Sequence, residues 1–148
     1  MSTNTMQSLK RLARERLGAY RQENTLLKSL DAGKTDAQIS RITGRVIPPP
    51  TPQQVRAMRQ WNLAIRNAVR MLEKSHRDKS RFMVRYFGLE TPINRSQSPA
   101  ARLIRLSQDY SVAQSTLYSW IDDICHIVLL CAAETGALRL SETQKLFS

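Results

Sequence analysis

Glycine and histidine are scarce in this chain of 148 residues, which contains 5 glycines and 2 histidines. Motifs that depend on these residue types are missing: the sequence has no glycine-rich phosphate loop, no HExxH helix and no GxSxG elbow. The two histidines, His76 and His126, lie 50 positions apart. Because a catalytic pocket gathers several titratable groups, the sequence predicts a protein that is not an enzyme and that binds no metal ion and no cofactor.

Cysteine is also rare, since Cys125 and Cys131 are the only two and both lie in the apolar stretch ICHIVLLCAA. Six residues apart on one helix, they point to different faces and cannot pair with each other. Free buried thiols are typical of a reducing compartment. The polar N-terminus lacks the apolar core of a signal peptide, and the longest apolar run, Ile127 to Ala133, is too short to span a bilayer. We therefore expect a cytoplasmic protein with no membrane partner.

Acidic residues are outnumbered, with 12 aspartates and glutamates against 23 lysines and arginines, for a net charge of +11. Residues 1–74 hold 14 basic and 5 acidic side chains and residues 75–148 hold 9 and 7, so the two halves carry +9 and +2. A small protein with such an excess is usually attracted to phosphate, in nucleic acid or in anionic lipid. The alternative is a basic surface with no specific partner.

Proline is concentrated in one segment, because four of the six prolines lie between residues 48 and 52. This segment predicts a stiff, extended linker over 46–52. The linker would separate a basic helical N-terminal arm over 1–45 from the main helical domain over 53–148. Within the arm, apolar residues at helical spacing predict helices over 5–30 and 35–43. Because punctuating residues are few elsewhere, the sequence predicts an all-α helical bundle.

The segment TPQQ at 51–54 is a strong helix start, because Thr51 can cap a helix, Pro52 fits its first position and Gln54 completes a capping box. The apolar stripe that follows carries this helix to about residue 75. Asn62 falls inside the stripe, either as a buried group that sets the register between helices or as a border residue that bonds water. Four arginines on the neighbouring face are candidate phosphate contacts: Arg56, Arg59, Arg66 and Arg70.

A short helix is predicted over 78–87, and two further helices joined by a tight turn are predicted over about 99–121. Ser98 can cap the first of this pair. The turn is predicted at 109–111, with Ser111 where glycine is usual, and VAQSTLYSWI then begins the second helix. This is the plan of a helix-turn-helix, although the same geometry also occurs as a plain hairpin inside helical bundles.

The outward face of the second helix carries polar side chains that can reach base edges: Gln114, Ser115, Tyr118 and Ser119. Glutamine can pair with adenine, and serine can bond several bases. Four further residues are candidate phosphate contacts. Thr116 lies at the start of this helix, Arg102 and Arg105 lie on the first helix of the pair, and Arg95 precedes it. Because the outward face has no lysine or arginine, base specificity would need a partner or a second copy.

The last helix is apolar almost all round from Ile124 to Ala133. Such a helix is buried on several sides. It is either the central core helix or the interface of a homodimer, since paired helix-turn-helix proteins read repeated half-sites.

The order MLEKSHRDKSRFMVRYFGLE, a helix, and then YSVAQSTLYSWIDDICHIVLLCAAETG resembles the promoter-reading domain of bacterial sigma factors, and still more the phage late-gene regulators of the ArpU and RinA type. The resemblance covers roughly residues 69–136. It implies a phage-encoded regulator in the host cytoplasm that binds double-stranded DNA and acts with RNA polymerase or a sigma factor, as an activator or an antiterminator. Two alternatives are a small terminase-like packaging adaptor and a polymerase-docking protein with little base readout.

Overall fold

The secondary structure that the computed structural model describes, over residues 3–33 and 50–138, is entirely helical. This confirms the all-α prediction. The five described helices are α1 (Thr3–Asp31), α2 (Pro52–Ser75), α3 (Arg77–Tyr86), α4 (Pro99–Tyr110) and α5 (Gln114–Thr135). The helix predicted over 35–43 and the linker residues 46–49 lie outside the described residues.

α1 belongs to the same core as the other helices. It packs against α2 and α5, and its residues Leu9, Leu17 and Tyr20 are buried in the common core. The predicted division between an arm over 1–45 and a main domain over 53–148 is therefore wrong for α1. The physical reason is that an apolar helical face is stable only when it is covered, and here α2 and α5 cover it.

α2 begins as its sequence predicts. The Thr51 hydroxyl accepts a hydrogen bond from the Gln54 N–H (3.1 Å), and the Thr51 N–H donates to the Gln54 side-chain oxygen (2.9 Å), which completes the capping box. The buried face of α2 contacts α1, α3 and α5. Asn62 lies in this face and is buried, with no hydrogen-bond partner for either amide atom in the described parts of the chain. Its burial excludes the interpretation of Asn62 as a border residue.

An aromatic cluster connects α3 to α4 and α5. α3 starts at a cap formed by His76, whose Nδ1 accepts a backbone N–H from the first turn. On the inner side of α3, the Phe82 ring lies 5.2 Å from Tyr86, 6.3 Å from Tyr110 and 5.7 Å from Trp120, between ring centroids. Stacked and edge-to-face rings stabilise beyond their buried area, by about 0.5–1.5 kcal/mol per pair. The cluster therefore fixes the position of α4 and α5 on the bundle.

α5 is the central helix and packs against each of the other four. Its length and hydropathy alone would suffice to cross a membrane, but half of the qualifying stretch is buried within the bundle. The core interpretation of Ile124–Ala133 is correct for most of these residues, whereas the Leu130 side chain is 62% exposed. The homodimer interface stays a prediction.

Candidate nucleic-acid interface

α4, a turn and α5 occupy the segment predicted as a helix-turn-helix. The Ser98 hydroxyl accepts the Ala101 N–H (3.1 Å), and Pro99 is the first residue of α4. α4 continues to Tyr110, so the turn comprises Ser111–Ala113 and not 109–111 as predicted. Ser111 adopts φ 54° and ψ 44°, in the left-handed region that ends many helices. Ser111 thus adopts the conformation for which glycine is usual at this position, and this sets where α4 stops.

The inner faces of the two helices hold this unit at a fixed angle. Leu103 and Leu106 of α4 and Leu117 and Ile121 of α5 are buried. Val112, in the turn itself, is half-buried and packs against the core. Because buried side chains lie on one face of each helix, the opposite face of α5 is left to solvent.

The four predicted base-contacting residues lie together on this solvent-exposed face. Gln114, Ser115, Tyr118 and Ser119 are all exposed, and the Tyr118 side chain is 59% exposed. We call these four residues the reading face. Since they occupy the first two turns of α5, they project from its N-terminal end, the part of a reading helix that usually contacts base edges.

The first turn of α5 is open and carries no cap. Ala113 stands at the N-cap position, no side chain bonds the free N–H groups, and the turn contains no acidic residue. These N–H groups and the positive end of the helix dipole favour an anion at this position. The turn therefore suits a DNA phosphate beside the reading face. Thr116, predicted as a phosphate contact, is half-buried in this turn.

Three acidic residues flank the reading face, and each is neutralised by a cation from another helix. Two follow the reading face along α5: Asp122 pairs with Lys10 of α1 (2.9 Å), and Asp123 pairs with Lys79 of α3 (2.9 Å). The third, Asp109 at the end of α4, pairs with Arg85 of α3 (2.7 Å). Unpaired, these carboxylates would repel phosphate. The ion pairs reduce that repulsion, because each pair has no net charge and its field falls off faster with distance than that of a lone carboxylate.

Three basic residues of the site were not predicted from the sequence: Lys10, Lys79 and Arg85. Their partners are 112, 44 and 24 positions away along the chain, so no local spacing could have linked them. The available signal was weaker. Asp122 and Asp123 have no lysine or arginine within one helical turn on their own helix, which implies that their partners come from elsewhere.

The arginines predicted near α4 differ in their surroundings. Arg95 and Arg105 are exposed and form no ion pair in the described parts of the chain. Arg95 and Arg21 line a cleft of about 360 Å³ between α1 and the loop before α4. Arg102 is half-buried, donates to the Tyr86 carbonyl oxygen and lies 5.1 Å from the centre of the Tyr86 ring. Arg102 is therefore the weakest of the predicted phosphate contacts.

The four arginines predicted on α2 are exposed, but they do not adjoin the reading face. α2 and α5 pack against each other through their buried faces, so the exposed faces of the two helices point away from each other. Arg59 forms a bidentate ion pair with Asp31 of α1 (2.6 and 3.2 Å), and this hydrogen bonding lowers the pKa of Asp31. Arg56, Arg66 and Arg70 form no ion pair among the described residues. The arginines of α2 and the reading face therefore form two separate surfaces.

Comparison of this chain with protein-family models, with curated proteins and with solved structures finds no match to any of them. The similarity to phage late-gene regulators consequently rests on the residues of this sequence alone.

Proposed function

We propose that this protein binds double-stranded DNA through α4, the turn and α5, acting as a helix-turn-helix, and that it regulates transcription. The observation that carries the proposal is the reading face: four polar residues of α5 that need no partner inside the protein and are exposed together at its N-terminal end. A helix of this kind fits the major groove, where side-chain amides and hydroxyls can bond base edges.

The surroundings of the reading face support docking on a duplex. The uncapped first turn of α5 offers N–H groups to one phosphate. Arg105 on the exposed side of α4 offers a positive charge to another. Such contacts position the reading helix but carry no sequence information. Discrimination between bases would then come from Gln114 above all, because a bidentate amide–adenine pair contributes about 1–3 kcal/mol.

A second candidate function is docking on RNA polymerase, with DNA serving only for placement. One observation favours it: the reading face carries no charged side chain, so its own contribution to DNA affinity is small. In this case the neutral polar surface would contact protein. The resemblance to phage late-gene regulators accommodates both functions, as activator or as antiterminator.

The test begins with selection of duplexes from a random-sequence pool by the full chain, followed by binding measurements on the enriched sequence over a range of salt concentrations. Gln114→Ala should weaken binding to the enriched sequence by roughly tenfold and leave binding to unrelated duplexes nearly unchanged. The matched control is Gln53→Ala, which removes an exposed glutamine from the first turn of α2. It should change binding neither to the enriched sequence nor to unrelated duplexes.

Two results would reject direct reading of DNA. One is a pool in which no sequence is enriched at any salt concentration. The other is equal affinity of Gln114→Ala and wild type for an enriched sequence. If, in addition, the chain co-purifies with RNA polymerase after nuclease treatment, and Tyr118→Ala abolishes that association, the polymerase-docking function replaces the first.

A further inference from the structure

The exposed side of α2 is strongly basic. Arg56, Arg66 and Arg70, which we call the arginine face, are exposed and form no ion pair in the described ranges. The first acidic residue of α2 is Glu73, close to the C-terminal end of the helix, and it pairs with Arg77 (3.4 Å). Over most of its length α2 therefore has no acidic side chain of its own, and Glu90, in the loop after α3, lines a cleft with Arg66 and Arg70.

The arginine face lies on the opposite side of the α2–α5 pair from the reading face. Contacts between the two helices run along their inner sides: the Thr135 hydroxyl donates to the Gln60 carbonyl (3.1 Å), and the Cys131 and Met71 sulfur atoms are 3.6 Å apart. Two packed helices separate the surfaces by about 20 Å, the sum of two helix diameters. At this separation we expect a straight duplex docked on α5 not to reach Arg66 and Arg70.

The spacing of the arginine face suits a line of phosphates. At a rise of about 1.5 Å per residue, Arg66 and Arg70 are offset by about 6 Å along α2, and Arg56 lies about 15 Å from Arg66. Phosphates along one DNA strand are separated by about 3.4 Å of helix axis, so a duplex running along α2 could meet all three arginines. A membrane surface fits less well, because an interfacial helix needs an apolar face beside its cations. Among the large apolar side chains exposed on the described part of α2, only Leu63 lies within this face.

We propose that the arginine face binds the phosphate backbone of a second DNA duplex, so that one molecule bridges two duplexes or two distant segments of one DNA. This inference rests on the proposed function, because the first duplex is held by the reading face. The second duplex would be held without base readout, since arginines aimed at phosphates carry no sequence information.

The experiment is a capture assay. A duplex with the enriched sequence is fixed on beads, the full chain is added, and capture of a fluorescent duplex of unrelated sequence is measured per bead-bound protein molecule. Wild type should capture the second duplex. Arg66→Gln/Arg70→Gln should lose most of this capture while still occupying the bead-bound sequence. The slope of log affinity against log salt for the second duplex should become less steep by about 2, one unit for each lost phosphate contact.

The matched control is Arg11→Gln/Arg81→Gln, which removes the same charge from two exposed positions, one on α1 and one on α3, that form no ion pair among the described residues. This variant should retain capture. The inference is overturned if the α2 double variant captures as well as wild type, or if both double variants lose capture equally, because total charge would then be the cause. Light scattering on the same samples identifies a dimer that bridges two duplexes through its two reading faces. Such a dimer would capture the second duplex equally well with and without the α2 substitutions.

Failure of the proposed function gives a different pattern. If Gln114→Ala changes no binding but Arg66→Gln/Arg70→Gln weakens binding to every duplex, the reading face is dispensable and the arginine face alone binds DNA. A parallel arm uses vesicles of phosphatidylserine and phosphatidylcholine. In one outcome, wild type sediments with the vesicles, the α2 double variant does not, and the two proteins capture DNA equally well. That outcome would assign the arginine face to a membrane surface and reject bridging.

Discussion

At the scale of single residues, Gly18 and Gly88 have opposite surroundings. Gly18 lies inside α1, where an added Cβ would meet no atom within 4 Å. Gly88 follows α3 with φ +63°, and an added Cβ would lie 2.8 Å from a side-chain carbon of Ile93. A helical glycine costs up to about 1 kcal/mol relative to alanine, whereas at positive φ glycine is the residue with the least strain. Of these two glycines, Gly88 is the one that the fold requires.

We expect Gly18→Ala to raise the free energy of unfolding by about 0.5–1 kcal/mol, because alanine lowers the entropy of the unfolded chain at no steric cost. Gly88→Ala should lower it by about 1–3 kcal/mol through backbone strain and the contact with Ile93. Urea unfolding followed by the fluorescence of the buried Trp61 and Trp120 measures both. If both substitutions changed the free energy of unfolding in the same direction, the contrast between Gly18 and Gly88 would be contradicted.

At the scale of helices, local capping explains where most of the described elements begin. Thr51, His76 and Ser98 each accept a backbone N–H in the first turn of the helix that follows. Two of these caps were predicted from sequence, because a serine or threonine followed by proline marks a helix start. The turn before α5 was placed about two residues early. Its position depends on Ser111 adopting a left-handed conformation, and sequence gives only a weak indication of that for a residue other than glycine.

The uncapped start of α5 allows stability and binding to be separated. Ala113→Asp should raise the free energy of unfolding by about 1 kcal/mol, because aspartate caps the free N–H groups and interacts favourably with the helix dipole. The same carboxylate lies next to the reading face, so the variant should bind DNA more weakly than wild type, and most clearly at low salt.

Ala113→Ser is the matched control for that prediction, since serine caps the helix without adding charge. It should stabilise the protein and leave DNA affinity close to that of wild type. Thermal unfolding and titration of a fluorescent duplex measure the two effects separately. Unchanged DNA affinity in the aspartate variant would argue that no phosphate approaches the N-terminus of α5.

At the scale of the whole molecule, the packing of α1 onto α5 encloses Cys125. The thiol is buried close to Lys10 and Arg14 of α1, and burial raises its pKa to about 11. Burial also raises the pKa of Cys131. Both thiols are thus protonated at neutral pH, and a protonated thiol is a poor nucleophile.

This burial predicts a loss of stability in alkali. The folded state holds the Cys125 proton more tightly than the unfolded state, whose thiol has a pKa near 9. The stabilisation is complete below about pH 9 and is lost as the pH rises toward 11, by up to roughly 2–3 kcal/mol. Urea unfolding at several pH values, compared between wild type and Cys125→Ala, isolates this contribution from other titrating groups. A loss of equal size in the variant would assign the effect to lysines or tyrosines instead.

The helices follow from local sequence alone, because apolar periodicity and capping residues act within a few positions of the chain. Local sequence also determined which side of α5 is polar, since that side is defined by the apolar residues Leu117 and Ile121 on the other. The tertiary structure alone decided that α1 joins the core, that Lys10, Lys79 and Arg85 neutralise the acids near the reading face, and that the arginine face lies on the far side of α2. These relations depend on which helix faces which, and packing between distant segments sets them, not local spacing.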